Sequence, residues 1–178
     1  IRLSLVGSEM CIRDRYYIPY TLDDEAASTE ETRSFSAAGG ETLVEMTPIN
    51  YGRNVKAYQR IAQATGVHVI CCTGFHKQLF MPPWFGDKTD GELYDILMDE
   101  VTNGLDGTEI HPGVIKLGTS FEEVTAAEKR SIEAVARVHR DTGIPISTHC
   151  DKGTMGMDQL RLLEKHGVDP VSYTHLRA

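Results

Sequence analysis

The sequence predicts an α/β chain built on a parallel sheet, and three observations carry that reading. Short β-type runs alternate with amphipathic helical segments four times between Tyr16 and Pro170. The runs are apolar along nearly their whole length, as in strands covered on both faces. The helical segments carry start and stop signals, T-x-x-E in front and glycine behind.

Taken in order, Ser28-x-x-Glu31 is expected to cap a first helix that ends at Gly39. Thr42–Met46 (TLVEM) reads as the first strand, bounded by Gly39-Gly40. A helix is expected from Asn54 to Thr65, with Val55, Tyr58, Ile61 and Ala62 on one face and Gly66 as its stop. Val67–Thr73 (VHVICCT) is dense in β-branched residues and reads as the second strand. Thr89-x-x-Glu92 opens the next helix, which carries Leu93, Ile96, Leu97 and Val101 and stops at Gly104. Gly113–Leu117 (GVIKL) is the third strand. Thr125-x-x-Glu128 opens a helix with Ile132, Val135 and Ala136 inward, and Gly143 ends it. Ile144–Thr148 (IPIST) is the fourth strand, followed by a helix over Met157–His166 that stops at Gly167.

Four strand-then-helix units imply right-handed crossovers. No G-x-G-x-x-G follows the first strand and no G-x-x-x-x-G-K-[ST] is present, which argues against a dinucleotide-binding or P-loop domain. A complete (β/α)8 barrel takes roughly 250 residues. The 178 residues are therefore expected to form a partial (β/α)8 TIM barrel.

Composition narrows the function classes. The formal net charge is −8, with 18 Lys plus Arg against 26 Asp plus Glu, which argues against nucleic acid or an anionic membrane as partner. No apolar run approaches the roughly 20 residues of a membrane span. Cys11, Cys71, Cys72 and Cys150 form no C-x-x-C pair, so reduced thiols in a cytoplasmic protein are expected. The first fifteen residues, IRLSLVGSEMCIRDR, and the last eight, VSYTHLRA, resemble translated sequencing-adaptor sequence. They are expected to be foreign or disordered ends, 1–15 and 171–178, around a domain over 16–170. Without a further strand, an open sheet leaves Thr42–Met46 and Ile144–Thr148 as unpaired edges.

Catalytic groups of such barrels sit where strands exit into βα loops. Lys116 lies inside GVIKLG, among apolar neighbours, and lysine is rarely buried without a partner. A buried amine that loses its proton can form a Schiff base with a carbonyl substrate, or take up carbon dioxide to become an anionic carbamate. A plainer reading is a lysine that snorkels outward or pairs with an acid such as Glu45. His149 closes the fourth strand, and neutral imidazole is a common ligand of divalent metals. Lys116 and His149, at the ends of consecutive strands, should converge on one mouth. Phe75–Phe85 (FHKQLFMPPWF) is an apolar βα loop, so Phe75, His76 and Trp84 are candidates for a substrate pocket wall. His68 is expected to face the helices, His111 the opposite end of the sheet, and His139 and His166 to sit near helix C-termini. Cys150 lacks an evident base, which makes it a weak candidate nucleophile.

The stretches GGETLVEMTPINYGRNV, IAQATGVHVICCTGF, GVIKLGTS, TGIPISTHC and GTMGMDQLRLLEKHGVDP resemble, in order and spacing, the phosphotriesterase family of the amidohydrolase superfamily. The resemblance runs from about Leu22 to Pro170. It implies barrel strands 2 to 5 of a hydrolase that acts on phosphotriesters or lactones by attack of metal-bound hydroxide. It further implies that Lys116, as a carbamate, and His149 are ligands of two divalent ions, zinc first, with manganese or cobalt as alternatives. The family's His-x-His on the first strand, histidine on the sixth and aspartate on the eighth have no counterpart in the residues read here. The isolated chain is accordingly expected to be inactive, and the intact protein to be a homodimer acting on a small-molecule ester or lactone. Two alternatives stand beside this: a Schiff-base lyase using Lys116, and a non-catalytic half-barrel binding module.

Overall fold

The structure, a computed structural model, describes residues 24–169 and the backbone of 173–177. The expected head, 1–15, lies outside the described residues. The strands are β1 (Thr42–Val44), β2 (His68–Ile70), β3 (Cys72–Gly74), β4 (Val114–Thr119), β5 (Ile146–Cys150) and β6 (Tyr173–Arg177). The α-helices are α1 (Glu25–Ala37), α2 (Val55–Thr65), α3 (Asp90–Asn103), α4 (Ala126–Thr142) and α5 (Gly156–Lys165). Every strand pairing is parallel, in the order β1-β2 and then β3-β4-β5-β6. This is the predicted partial barrel.

The capping signals act where the sequence puts them. Thr89 and Glu92 form a capping box on α3, and Thr125 and Glu128 form another on α4. Asn54 accepts from the Ala57 amide to start α2, and Gly66 and Gly143 end α2 and α4 in the left-handed conformation that glycine adopts freely. Helix α1 departs from expectation. Its cap is Asp24, which accepts from the Ala27 amide at 3.0 Å, so Ser28 falls inside the first turn. Either residue type can cap, and the one four residues upstream does.

The expected strand Val67–Thr73 is divided. Residues up to Ile70 pair with β1, whereas Cys72 onward pairs with β4. At the division the Cys71 carbonyl accepts from the Gly113 amide at 3.0 Å. The Cys71 carbonyl thus keeps a backbone partner where the chain passes from one neighbour to the next.

The segment 171–178, expected to lie outside the fold, contributes β6. It pairs with β5 from Ile146↔Tyr173 to Cys150↔Arg177. A strand ladder is made by backbone groups, and side-chain pattern alone does not reveal that an extended segment will join it. Ile144–Thr148 is consequently not an edge: β5 lies between β4 and β6.

The main core lies between β3–β5 and helices α3–α5. Phe75, Phe85, Leu93, Leu97, Ile115, Leu117, Ile132 and Leu163 are all buried in it. Alternation along a strand then settles the two faces of the sheet. Ile115 and Leu117 point to the helices, so Lys116 and Gly118 point the other way, toward the barrel interior.

Candidate functional site

Register places the two predicted ligands on one face. Lys116 pairs with Ser147 and Gly118 pairs with His149. Paired residues share a face, as do residues two apart. Lys116, Gly118, Ser147 and His149 therefore line the interior together, with Lys116 5% and His149 3% exposed. Their electrostatics agree. Burial, then the positive charges of Lys116 and Lys77, lower the His149 pKa to about 4, with Asp151 opposing. The imidazole is thus held neutral, the form that binds metal. Helix α5 supports it from behind: the fully buried Gln159 donates to the Thr119 hydroxyl at 2.5 Å and to the His149 carbonyl at 2.7 Å.

His76 joins the same face. Counting by two from Cys72 and Gly74 brings it inward, and its ring meets His149 edge-on, with centroids 4.7 Å apart at 88°. Phe80 stacks on it at 5.3 Å and Tyr51 meets it edge-on at 4.5 Å. Burial, then the charges of His149, Lys116 and Lys77, push its pKa well down. Gly118 makes room for this ring: a Cβ there would come within 2.6 Å of His76 Nδ1. A side chain at position 118 would therefore displace the His76 ring.

Phe75 does not belong to this group. The same alternation turns it to the helix layer, where it is fully buried against Phe85 at 5.0 Å and Trp84 at 6.3 Å. The proposed pocket wall is thereby corrected: Phe75 is core, Trp84 packs on that core, and His76 alone of the three faces His149.

Four further residues shape the mouth. Tyr51 and Phe80 enclose His76. Lys77 forms a buried ion pair with Asp151 at 3.0 Å, linking the loops that follow β3 and β5. Their signal in the sequence is adjacency, since Lys77 follows His76 and Asp151 lies two residues past His149. Glu45, considered as a partner of Lys116, is hydrogen-bonded by the Thr47 hydroxyl. Of the remaining histidines, His68 is exposed, His111 Nδ1 contacts the Val101 carbonyl, His139 Nδ1 contacts the Ile144 carbonyl, and His166 follows α5. Burial raises the Cys150 thiol pKa, which weakens it further as a nucleophile.

The donor set fits a share of a metal site. Lys116, once carbamylated, would offer oxygens and His149 offers nitrogen, but no three His, Cys, Asp or Glu side chains cluster for a metal among the described residues. A catalytic zinc takes about three protein ligands, so these two would need partners from outside the described set. No described helix is long and apolar enough to cross a membrane.

Comparison with known proteins agrees with the fold. The chain is 38% identical over 149 residues to the phosphotriesterase homology protein of Escherichia coli, covering 83% of this chain and 51% of that protein. It is 30% identical over 178 residues to a phospho-furanose lactonase of Mycoplasmopsis synoviae, covering 90% and 50%. The crystal structure of the Escherichia coli protein with phosphate in its active site superposes with a TM-score of 0.84 at 37% identity, over 86% of this chain and 53% of that one. A lactonase from Listeria monocytogenes superposes with a TM-score of 0.85 at 28% identity, over 97% and 56%. The chain spans about half the length of the curated relatives it matches. The phosphotriesterase family pattern matches residues 11–176, reaching into both end segments. On the shared fold, the relatives and this match, the chain belongs to the phosphotriesterase family.

Proposed function

We propose that this chain is part of a binuclear metal-dependent hydrolase of phosphotriesters or lactones, with Lys116 and His149 as two of its metal ligands. The observation that carries the proposal is their common face: a buried lysine and a buried neutral imidazole project into one barrel interior from adjacent strands. Family membership adds the reaction class, since relatives include an aryldialkylphosphatase and a phospho-furanose lactonase.

In this reading Lys116, its Nζ carbamylated by carbon dioxide with loss of a proton, and His149 would help to hold two divalent ions. Zinc is the first choice, and manganese or cobalt also suit oxygen and imidazole donors. Such ions supply hydroxide near neutral pH and polarise the bond to be broken. This chain's own residues do the rest. His149 stays unprotonated because burial, and after it the Lys77 charge, disfavours its cation. His76, Phe80 and Tyr51 form a wall that keeps water from one side of the mouth. Gln159 holds the His149 backbone in place. A small-molecule ester or lactone is the substrate, and a homodimer is the assembly proposed for the intact protein.

The test is turnover by the longer open reading frame that contains this sequence. Phosphotriester and lactone hydrolysis should be abolished by chelation and restored by zinc, manganese or cobalt. The 178-residue chain alone should show none. Borohydride trapping of a carbonyl substrate on Lys116, unaffected by chelators, would instead establish the Schiff-base alternative.

A further inference from the structure

Glu128 is fully buried, and a buried carboxylate needs strong partners. One oxygen does the ordinary work of a helix cap: Oε2 accepts from the Thr125 amide at 2.9 Å. The other leaves the helix. Oε1 accepts from the Ser120 hydroxyl at 2.6 Å and from the Gln78 amide at 2.9 Å. Ser120 follows β4, and Gln78 opens the turn that carries Phe80. A single carboxylate therefore joins the start of α4 to two separate βα loops.

The second capping box shows that a cap requires none of this. In α3 the Glu92 side chain is 46% exposed. Its oxygens serve only Thr89 and Lys88, within its own segment. Burial and the reach to Gln78 are peculiar to Glu128.

Gln78 is two residues from His76, whose ring meets His149 at 4.7 Å. We propose that Glu128 is a positioning residue: it anchors the His76–Phe80 segment and so sets how closely that wall approaches His149. The use of the wall in substrate binding rests on the hydrolase reading, whereas the anchoring needs neither metal nor turnover.

The test is made on the metal-free 178-residue chain by NMR. The readouts are the ring-to-ring nuclear Overhauser effect between His76 and His149 and the amide exchange of residues 75–85. Glu128→Gln keeps the shape but removes the charged acceptor. Gln78→Pro removes the amide donor and, with it, only an exposed side chain. The backbone accepts proline there, because Lys77 is extended (φ −61°, ψ 163°) and position 78 is the first of a helical turn. Thr125→Ala weakens the cap without removing either partner of the Gln78 contact.

The first two substitutions are expected to abolish the ring contact and to raise exchange over 75–85 roughly tenfold, the factor for one lost charge-assisted hydrogen bond. Thr125→Ala is expected to loosen the first turn of α4, Glu128 with it, and so to weaken the ring contact less than Gln78→Pro does. If Glu128→Gln does not fold, Gln78→Pro carries the comparison. A ring contact that survives Gln78→Pro would overturn the proposal. Neither result bears on whether Lys116 and His149 hold metal, which the Lys116→Met chain with its flanking sequence tests separately.

Discussion

Two buried polar clusters in this molecule are built on opposite plans. Around Arg53 every charge is answered: the guanidinium bonds Glu100 and Asp106, donates to the Cys72 carbonyl at 3.2 Å, and Glu100 also accepts from the Thr73 hydroxyl at 2.6 Å. Those hydrogen bonds outweigh burial and raise the Arg53 pKa. At the mouth, two lysines press on two imidazoles that burial keeps neutral. Asp151 answers Lys77, yet His76 Nδ1 is buried with no hydrogen-bond partner among the described residues. The first arrangement is what stability alone produces. The second is internally opposed, and burial there disfavours charge instead of pairing it.

The sharpest way to break this contrast is to remove Arg53. Arg53→Met should destabilise the chain by about 3–5 kcal/mol, because Glu100 is left buried and uncompensated. Urea unfolding measures it, and a loss below about 1 kcal/mol would put the two clusters on the same footing.

Acid titration probes the mouth next. The His149 pKa falls from 6.5 to about 4 on folding, so between those values the unfolded chain binds more protons and stability falls as pH falls. The contribution is fully present above pH 6.5 and is lost as the pH drops through about 4. It amounts to on the order of 3 kcal/mol, with His76 acting in the same direction. Lys116→Met removes one of the lysine charges and should raise the His149 pKa, narrowing this window. An NMR titration of the metal-free chain checks both statements, and an unshifted His149 would contradict them.

Helix caps give a smaller effect. Thr89→Ala and Thr125→Ala should each cost about 1 kcal/mol, measured by thermal unfolding. The smallest effect concerns thiols. Burial, ahead of the Glu45 charge, pushes the Cys71 pKa up to about 11, and Cys72 moves further in the same direction. Both should resist iodoacetamide at pH 8 in the folded chain and react once it is unfolded.

Much of this was legible in the sequence, for physical reasons that differ by residue. Capping boxes are local, so Thr89–Glu92 and Thr125–Glu128 announce their helices directly. Lys116 and His149 were legible because a polar residue at a strand end is conspicuous. Period-two alternation also separates His76 from Phe75, once the inward residues Cys72 and Gly74 are known. The strand β6 was not legible, because VSYTHLRA resembles an adaptor-derived end. The clasp of Arg53 and the reach of Glu128 were hidden too, since contacts such as Glu128 to Gln78 span 50 residues and leave no spacing to read.

The central claim is that Lys116 and His149 belong to one metal centre. Its most direct test is the metal content of the intact reading frame, measured for the parent protein, Lys116→Met and His149→Ala, alongside turnover. The account predicts about two divalent ions per parent chain, with metal and hydrolysis lost together in both variants. A Lys116→Met protein that keeps its full metal content and its activity would contradict it.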